Sequence, residues 1–383
     1  MIRAKLVDTD IKLYELFLAI FASLRQKGRG VLIFEDLLRK KAKVSEAIVF
    51  GSGHAALLAS LIAMKKITKF EKDEVIIPGY GPLSIYTAII QAGLKPVLCD
   101  IDTRDFGFGS GCKAEKANSR TLAAIPVRLF GLESSPEGKN DGIFVIEDNA
   151  QGFITPLKWD LQLLSFNRGK NFPLLNGGAI LTNDEGLAEE IRKVRNSYLA
   201  PSFWSNIMAL AKLKALCFSK NILFYNLMLP FIEGMRQNKP AEHIDEVLLS
   251  SWQSMLGAGR LFHSDGNMKR RFELAKEYLT LLKDIRGIEL PEVKEGSIVN
   301  RFPVLIKDKT IVEGVRIKLK KAGIESSRMY FKPVHQVYGI KSEPGEFKNA
   351  EYVAERLLVL PCNPFLADKE VEFIAEGVKK CFL

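Results

Sequence analysis

Ser165-Phe166-Asn167-Arg168-Gly169-Lys170 follows a short apolar strand and precedes the pair Gly177-Gly178, and upstream of it Glu147-Asp148-Asn149-Ala150-Gln151 closes another, Ile143-Phe144-Val145-Ile146. Buried strands that end in ionisable residues point to a sheet with its ligand at the carboxyl edge. Further upstream, Ala47-Ile48-Val49-Phe50 reads as a strand, Gly51-Ser52-Gly53 as a glycine turn and residues 55–64 as an apolar helix. The alternation continues through Glu74-Val75-Ile76-Ile77-Pro78, a helix over 83–92, Pro96-Val97-Leu98-Cys99-Asp100 and Ala124-Ile125-Pro126-Val127. Apolar strands alternating with helices predict an α/β fold whose mainly parallel sheet is covered on both faces.

Past Asp184 the pattern changes to long helices, expected over 247–262 and 267–285. A smaller α+β unit follows, with the strand Phe302-Pro303-Val304-Leu305-Ile306, a helix over 311–322 and a closing helix over 369–380. The expected division is a large domain over 1–250 and a small C-terminal domain over 251–383. Within the first, residues 203–235 form a hydrophobic insertion with Phe203, Trp204, Ile207, Met208, Leu210, Leu213, Leu216 and Phe218, and with Lys212, Lys214, Lys220 and Arg236 around it. Its uncharged run over 221–232, about 12 residues, is too short for a bilayer crossing of roughly 20. A helical pair covering the active site or a partner subunit is expected, the alternative being a cationic hairpin in peripheral contact with a membrane.

The 383 residues, 47% hydrophobic and 26% charged, suffice for about two globular domains and exclude a disordered chain. An excess of 55 basic over 45 acidic residues suits an anionic ligand, and equally a solvated basic exterior. No zinc spacing, recognition motif or interleaved basic and aromatic patch indicates nucleic acid. The five cysteines, Cys99, Cys112, Cys217, Cys362 and Cys381, are odd in number and lack metal-ligand spacing, so reduced thiols and no metal are expected. Met1-Ile2-Arg3-Ala4-Lys5 does not open an export signal. Both readings lead to the expectation of a cytoplasmic protein.

A lysine at a strand end can act as a Schiff-base nucleophile, and an upstream strand-end carboxylate can keep the ring nitrogen of pyridoxal 5′-phosphate protonated. Lys170 and Asp148 are those residues here, and Gly51-Ser52-Gly53 offers the third requirement, free N–H groups at a helix start for the phosphate dianion. Singly, each has a commoner reading as a solvated lysine, a helix-cap aspartate or a plain turn. Their occurrence together, in this order on consecutive elements, argues for the cofactor.

At these residues the chain resembles the DegT/StrS aminotransferases, fold type I pyridoxal phosphate proteins that aminate nucleotide-linked keto-sugars. The resemblance runs over most of the chain. It is carried also by Phe34-Glu35, Ser52-Gly53-His54-Ala55-Ala56-Leu57, Asp73-Glu74-Val75-Ile76-Ile77-Pro78, Gly93-Leu94-Lys95-Pro96-Val97, Gly177-Gly178-Ala179-Ile180-Leu181-Thr182-Asn183-Asp184, Gly323-Ile324-Glu325, Pro333-Val334-His335 and Leu360-Pro361. It implies a seven-stranded sheet, a homodimer with active sites at the subunit interface, an amino acid donor such as glutamate and an anionic keto-sugar acceptor. It implies that Lys170 bonds to the cofactor and moves the substrate proton, that Asp148 pairs with the pyridine nitrogen and that Gln151 reaches the ring-hydroxyl side. Ser52, Gly53, His54 and Ser165 would hold the phosphate.

Two departures stand at the cofactor: His54 where a small hydroxyl residue is common, with an imidazole able to carry charge, and Asn149 in place of a small residue. In Pro78-Gly79-Tyr80-Gly81-Pro82 a proline takes the position of the family's ring-stacking aromatic, which makes Tyr80 the substitute, packing in the core being its other reading. Arg328, Tyr330 and His335 are candidates to face substrate, with surface or packing roles as the alternative. Dehydratase members replace the lysine with histidine, so Lys170 favours amino transfer over a related dehydratase. A non-catalytic regulatory homologue is the remaining alternative.

Overall fold

The computed structural model describes the chain except residues 8–10, 70, 135–141, 219–220, 222–223, 228–242 and 383. Helices α1 (Leu13–Arg25) and α2 (Gly30–Ala42) lead into β1 (Glu46–Phe50), α3 (Gly53–Ile67), β2 (Glu74–Pro78), α4 (Leu83–Gln91) and β3 (Lys95–Cys99). Then come α5 (Cys112–Lys116), β4 (Thr121–Ala124), β5 (Phe144–Asp148), β6 (Leu161–Ser165), β7 (Gly178–Thr182) and α6 (Glu185–Arg195). The seven strands make one sheet in the order β1-β7-β6-β5-β4-β2-β3. Neighbours from β6 through β3 are parallel, whereas β7 runs antiparallel to both β6 and β1. Every residue of β4 and β7 is buried, as a sheet covered on both faces requires. Helix α3 is apolar over most of its circumference, and ten of its residues, Gly53, the run Ala55 through Leu61, Ala63 and Met64, are buried.

Helices α7 (Phe203–Phe218), α8 (Ser251–Leu261) and α9 (Ser264–Leu282) follow. Helix α8 packs against α1 and α2, and its Trp252, Leu256 and Leu261 enter a core that also holds Phe34, Phe166 and Phe172. Strands β8 (Ile288–Glu289), β9 (Arg301–Ile306) and β10 (Leu357–Pro361) form an antiparallel sheet in the order β10-β9-β8. Around it lie α10 (Val312–Lys321), α11 (Val334–Tyr338), α12 (Lys348–Arg356) and α13 (Asp368–Lys379). The N-terminal segment reaches this unit: Ala4 pairs with Ile324, and Leu6 N–H donates to Glu325 at 2.8 Å.

Two local expectations differ from the structure. The strand expected through Val127 ends at Ala124. Pro126 has no N–H for the ladder, and its carbonyl instead accepts the Asp148 N–H at 2.8 Å. The expectation of five reduced thiols is corrected for one pair: Cys99, closing β3, and Cys112, opening α5, form a disulfide with Cα atoms 5.8 Å apart. The intervening loop doubles back, with Gly109 N–H donating to Asp100 O at 2.9 Å, so residues 13 apart in sequence meet. In the hydrophobic insertion, α7 turns Ala209 and Leu213 inward and leaves Phe203 and Trp204 each 73% exposed. Most of the insertion from 219 onward lies outside the described residues. No helix among the described residues is long and apolar enough to cross a membrane.

Candidate active site

The parallel order of β5 and β6 brings two chemically different strand ends side by side. Asp148, the last residue of β5, is 4% exposed, and its backbone is held by the Pro126 carbonyl and by Arg128 N–H, which donates to Asp148 O at 3.0 Å. Its Oδ1 accepts Ala150 N–H at 2.9 Å. Burial raises the carboxyl pKa, against the opposing pull of that N–H and of Lys170. The neighbouring departure, Asn149, turns aside: its Nδ2 donates to Phe153 O and, at 3.3 Å, to Thr155 Oγ1.

Beyond β6 the chain folds tightly, Lys170 N–H donating to Asn167 O at 2.9 Å and Leu174 N–H to Phe166 O at 2.7 Å. Burial lowers the Lys170 pKa to about 8; Asp148 opposes that shift and the Arg301 charge adds to it. At pH 7.5 roughly a quarter of such amines are unprotonated, against about one in a thousand for an ordinary lysine.

Across from this pair stands the start of α3. Ser52 caps the helix, its Oγ accepting Ala55 N–H at 3.0 Å. The start is pressed against β7: a β-carbon on Gly178 would lie 2.5 Å from the Cα and N of Gly53, and Gly177 has φ +112°, so neither glycine tolerates a side chain without movement. A β-carbon on Gly53 would in turn lie 3.1 Å from Ser165 Cβ. Ser52, Gly53, His54 and Ser165 share the wall of a cavity of about 430 Å³, together with Asn167, Asn176, Asn206, His243 and Asp245. Lys170 and Asp148 are not on that wall, so the cavity marks one end of the site. His54 opens onto it with its side chain exposed; desolvation in the recess and the Lys170 charge both act to lower the imidazole pKa.

Gln151 bridges the other side. Its Oε1 accepts Phe130 N–H at 3.0 Å and its Nε2 donates to Tyr330 Oη at 3.1 Å. Tyr330 has φ +55°, and burial raises its hydroxyl pKa to about 12. Tyr80 is fully buried, donates its hydroxyl to Met329 O at 2.6 Å and lies edge-on to Tyr330 at 5.9 Å between ring centroids. The structure thus gathers Asp148, Lys170, Gln151 and Tyr330, with Tyr80 behind Tyr330. Arg328 and His335 are engaged elsewhere. Arg328 donates to Ala354 O at 3.0 Å and Glu355 O at 3.2 Å at the end of α12, where it satisfies terminal carbonyls. His335, 5% exposed, stacks on Phe347 and lies 3.2 Å from Glu351 Oε1.

Three residues absent from the sequence expectations join the site. Asn171 Nδ2 donates to Gln151 O at 3.0 Å and Ile298 O at 2.8 Å, and Asn300 Nδ2 donates to Asn171 Oδ1 at 2.8 Å. Arg301 follows directly at the start of β9. Asn171 was signalled by its place next to Lys170; Asn300 and Arg301 are brought in only by the fold.

The donor set fits pyridoxal phosphate: a half-buried amine with a lowered pKa, a buried carboxylate, and a glycine and serine cradle at a helix start that an added β-carbon would fill. Among curated proteins, the chain is 27% identical to the spore coat polysaccharide biosynthesis protein SpsC of Bacillus subtilis, covering 92% of this chain and 90% of the relative. It is 25% identical to a UDP-N-acetyl-3-dehydro-alpha-D-glucosamine 3-aminotransferase of Acidithiobacillus ferrooxidans, covering 88% and 84%. The crystal structure of DesV from S. venezuelae shares its fold, with a TM-score of 0.75, 23% identity and coverage of 99% and 98%. The model of the DegT/DnrJ/EryC1/StrS aminotransferase family matches residues 17–379, and the chain, with a strand-end lysine and carboxylate in a fold its relatives share, belongs to that family.

Proposed function

We propose that this protein transfers an amino group from an amino acid, glutamate in the first instance, to the carbonyl of an anionic, nucleotide-linked keto-sugar, using pyridoxal phosphate. The observation that carries the reading is that the loop after β6 brings a half-buried Lys170, its pKa lowered to about 8, into electrostatic contact with the buried Asp148 that closes β5. When bound, the cofactor supplies an aldehyde that takes the amino group and a ring that spreads the electron pair left on the substrate carbon. Lys170 Nζ would carry the proton between that carbon and the cofactor's aldehyde carbon, the relay that moves the amino group from one to the other. Asp148 would support a proton at the pyridine nitrogen, the Lys170 charge opposing the rise in its carboxyl pKa that burial causes. Ser52, Gly53, His54 and Ser165 would hold the phosphate. Gln151 and Tyr330 orient the ring-hydroxyl side, and Tyr80 supports Tyr330 from behind.

The names of the relatives, which include sugar aminotransferases, support the acceptor class, and the +10 net charge suits an anionic one. Two copies are proposed to pair, as the family resemblance implies. Incubation of purified protein with glutamate and a panel of keto-sugar nucleotides tests the reading. Equal amounts of 2-oxoglutarate and amino sugar are expected. A sugar that loses a hydroxyl while no glutamate is consumed would instead establish dehydration.

A further inference from the structure

Arg301 opens β9, and its guanidinium lies on the lysine loop. A β-carbon on Gly169 would sit 3.2 Å from its Nη2, and its Nη1 donates to Asn300 Oδ1 at 2.6 Å. Asn300 Nδ2 in turn reaches Gly169 O at 3.2 Å and Asn171 Oδ1 at 2.8 Å. The residues on both sides of Lys170 are therefore fastened to the dipeptide that carries the guanidinium. After burial, which dominates at both groups, the Arg301 charge acts on Lys170 and on the Tyr330 hydroxyl. The Arg301 guanidinium set against the loop of Lys170 favours an anionic group on the substrate that reacts there.

The chemistry of the two substrates decides which anion. In an amino acid the carboxylate is bonded to the same carbon that bears the reacting nitrogen, so it arrives one bond from the atom Lys170 serves. On a nucleotide-linked sugar the phosphates stand beyond the anomeric oxygen, separated from a ring carbonyl by several bonds. We infer that Arg301 is the seat of the amino donor's α-carboxylate, a substrate-binding residue that selects α-amino acids over other amines. The inference rests on the aminotransferase reading and adds to it the residue that recognises the donor.

The test measures the two half-reactions of the cofactor-loaded enzyme separately, with glutamate and its 1-amide as donors, in the parent, R301Q and R301K. The parent is expected to prefer glutamate by about 100-fold in kcat/KM; R301Q loses that preference mainly through KM, R301K regains part of it, and the acceptor half-reaction falls by at least about tenfold less than the donor one. Spectral titration with α-methylglutamate, which binds but has no α-proton to lose, should show the same weakening in R301Q. A preference that persists in R301Q, a loss confined to kcat, or an acceptor half-reaction that falls as far as the donor one would overturn the assignment. If the parent carries no cofactor on Lys170, or accepts no amino acid, the aminotransferase reading itself fails, and the two failures are told apart.

Discussion

Asp148 and Lys170 are shifted in opposite directions by one dominant cause, since burial penalises the charged form of each. Each also favours the charged form of the other, so removing one changes its partner in a known direction. In Asp148→Asn the amide no longer supports the Lys170 ammonium, and the lysine pKa falls below its present value of about 8. Amine-selective labelling of Lys170 against pH in cofactor-free protein should show this lower midpoint; an unchanged or higher one would contradict the coupling. The same variant should retain bound cofactor but lose roughly 100-fold in the glutamate half-reaction, because an amide cannot stabilise a protonated ring nitrogen. An unchanged rate would remove Asp148 from its role. These residues were legible because Asp148 closes one apolar strand and Lys170 follows the next, on consecutive elements of the sheet. The Asn171–Asn300 contact was not, because it joins positions 129 residues apart that no local pattern relates. Arg328 and His335 looked equally suited to substrate in sequence, and only tertiary contacts engage them at carbonyls and at Glu351.

The contact between β7 and the start of α3 shapes the end of the site proposed to take the phosphate. Its closeness depends on Gly178, where a β-carbon would meet the Gly53 backbone at 2.5 Å, a distance relieved only by moving one element away from the other. Gly178→Ala is expected to cost about 1–3 kcal/mol of stability and to weaken cofactor retention at the same time. Thermal unfolding and cofactor content after dialysis check both; parent-like values would show that the cradle is looser than described. The glycine pair was visible in sequence, whereas the antiparallel direction of β7 was not, since a fully buried strand reads the same in either direction. Likewise, the apolar run over 124–127 marked a buried segment correctly but not where the regular ladder is interrupted, at Pro126 with its missing N–H, before a single bridge joins Val127 to Asp148.

For the molecule as a whole, α1 poses the question of what covers it. One stripe, with Leu16 and Ala19, is buried, while Phe17, Leu18, Phe21 and Leu24 are each more than 60% exposed along the other. A helix apolar on both faces calls for cover on both. A second copy of the chain is the expected cover, so the protein should sediment as a dimer, and Phe17→Asp with Phe21→Asp should yield a folded monomer. A monomeric parent, or a variant as dimeric as the parent, would contradict that pairing. Salt-sensitive binding of the parent to anionic vesicles, lost when Lys212 and Lys214 become glutamate, would instead assign the neighbouring exposed face of α7 to a membrane. The central claim, that the molecule is built around one lysine, is tested most directly by borohydride reduction of the cofactor-saturated protein followed by peptide mass mapping. The account predicts a single reduced pyridoxyl label on Lys170; a label on another lysine, or none, would contradict it.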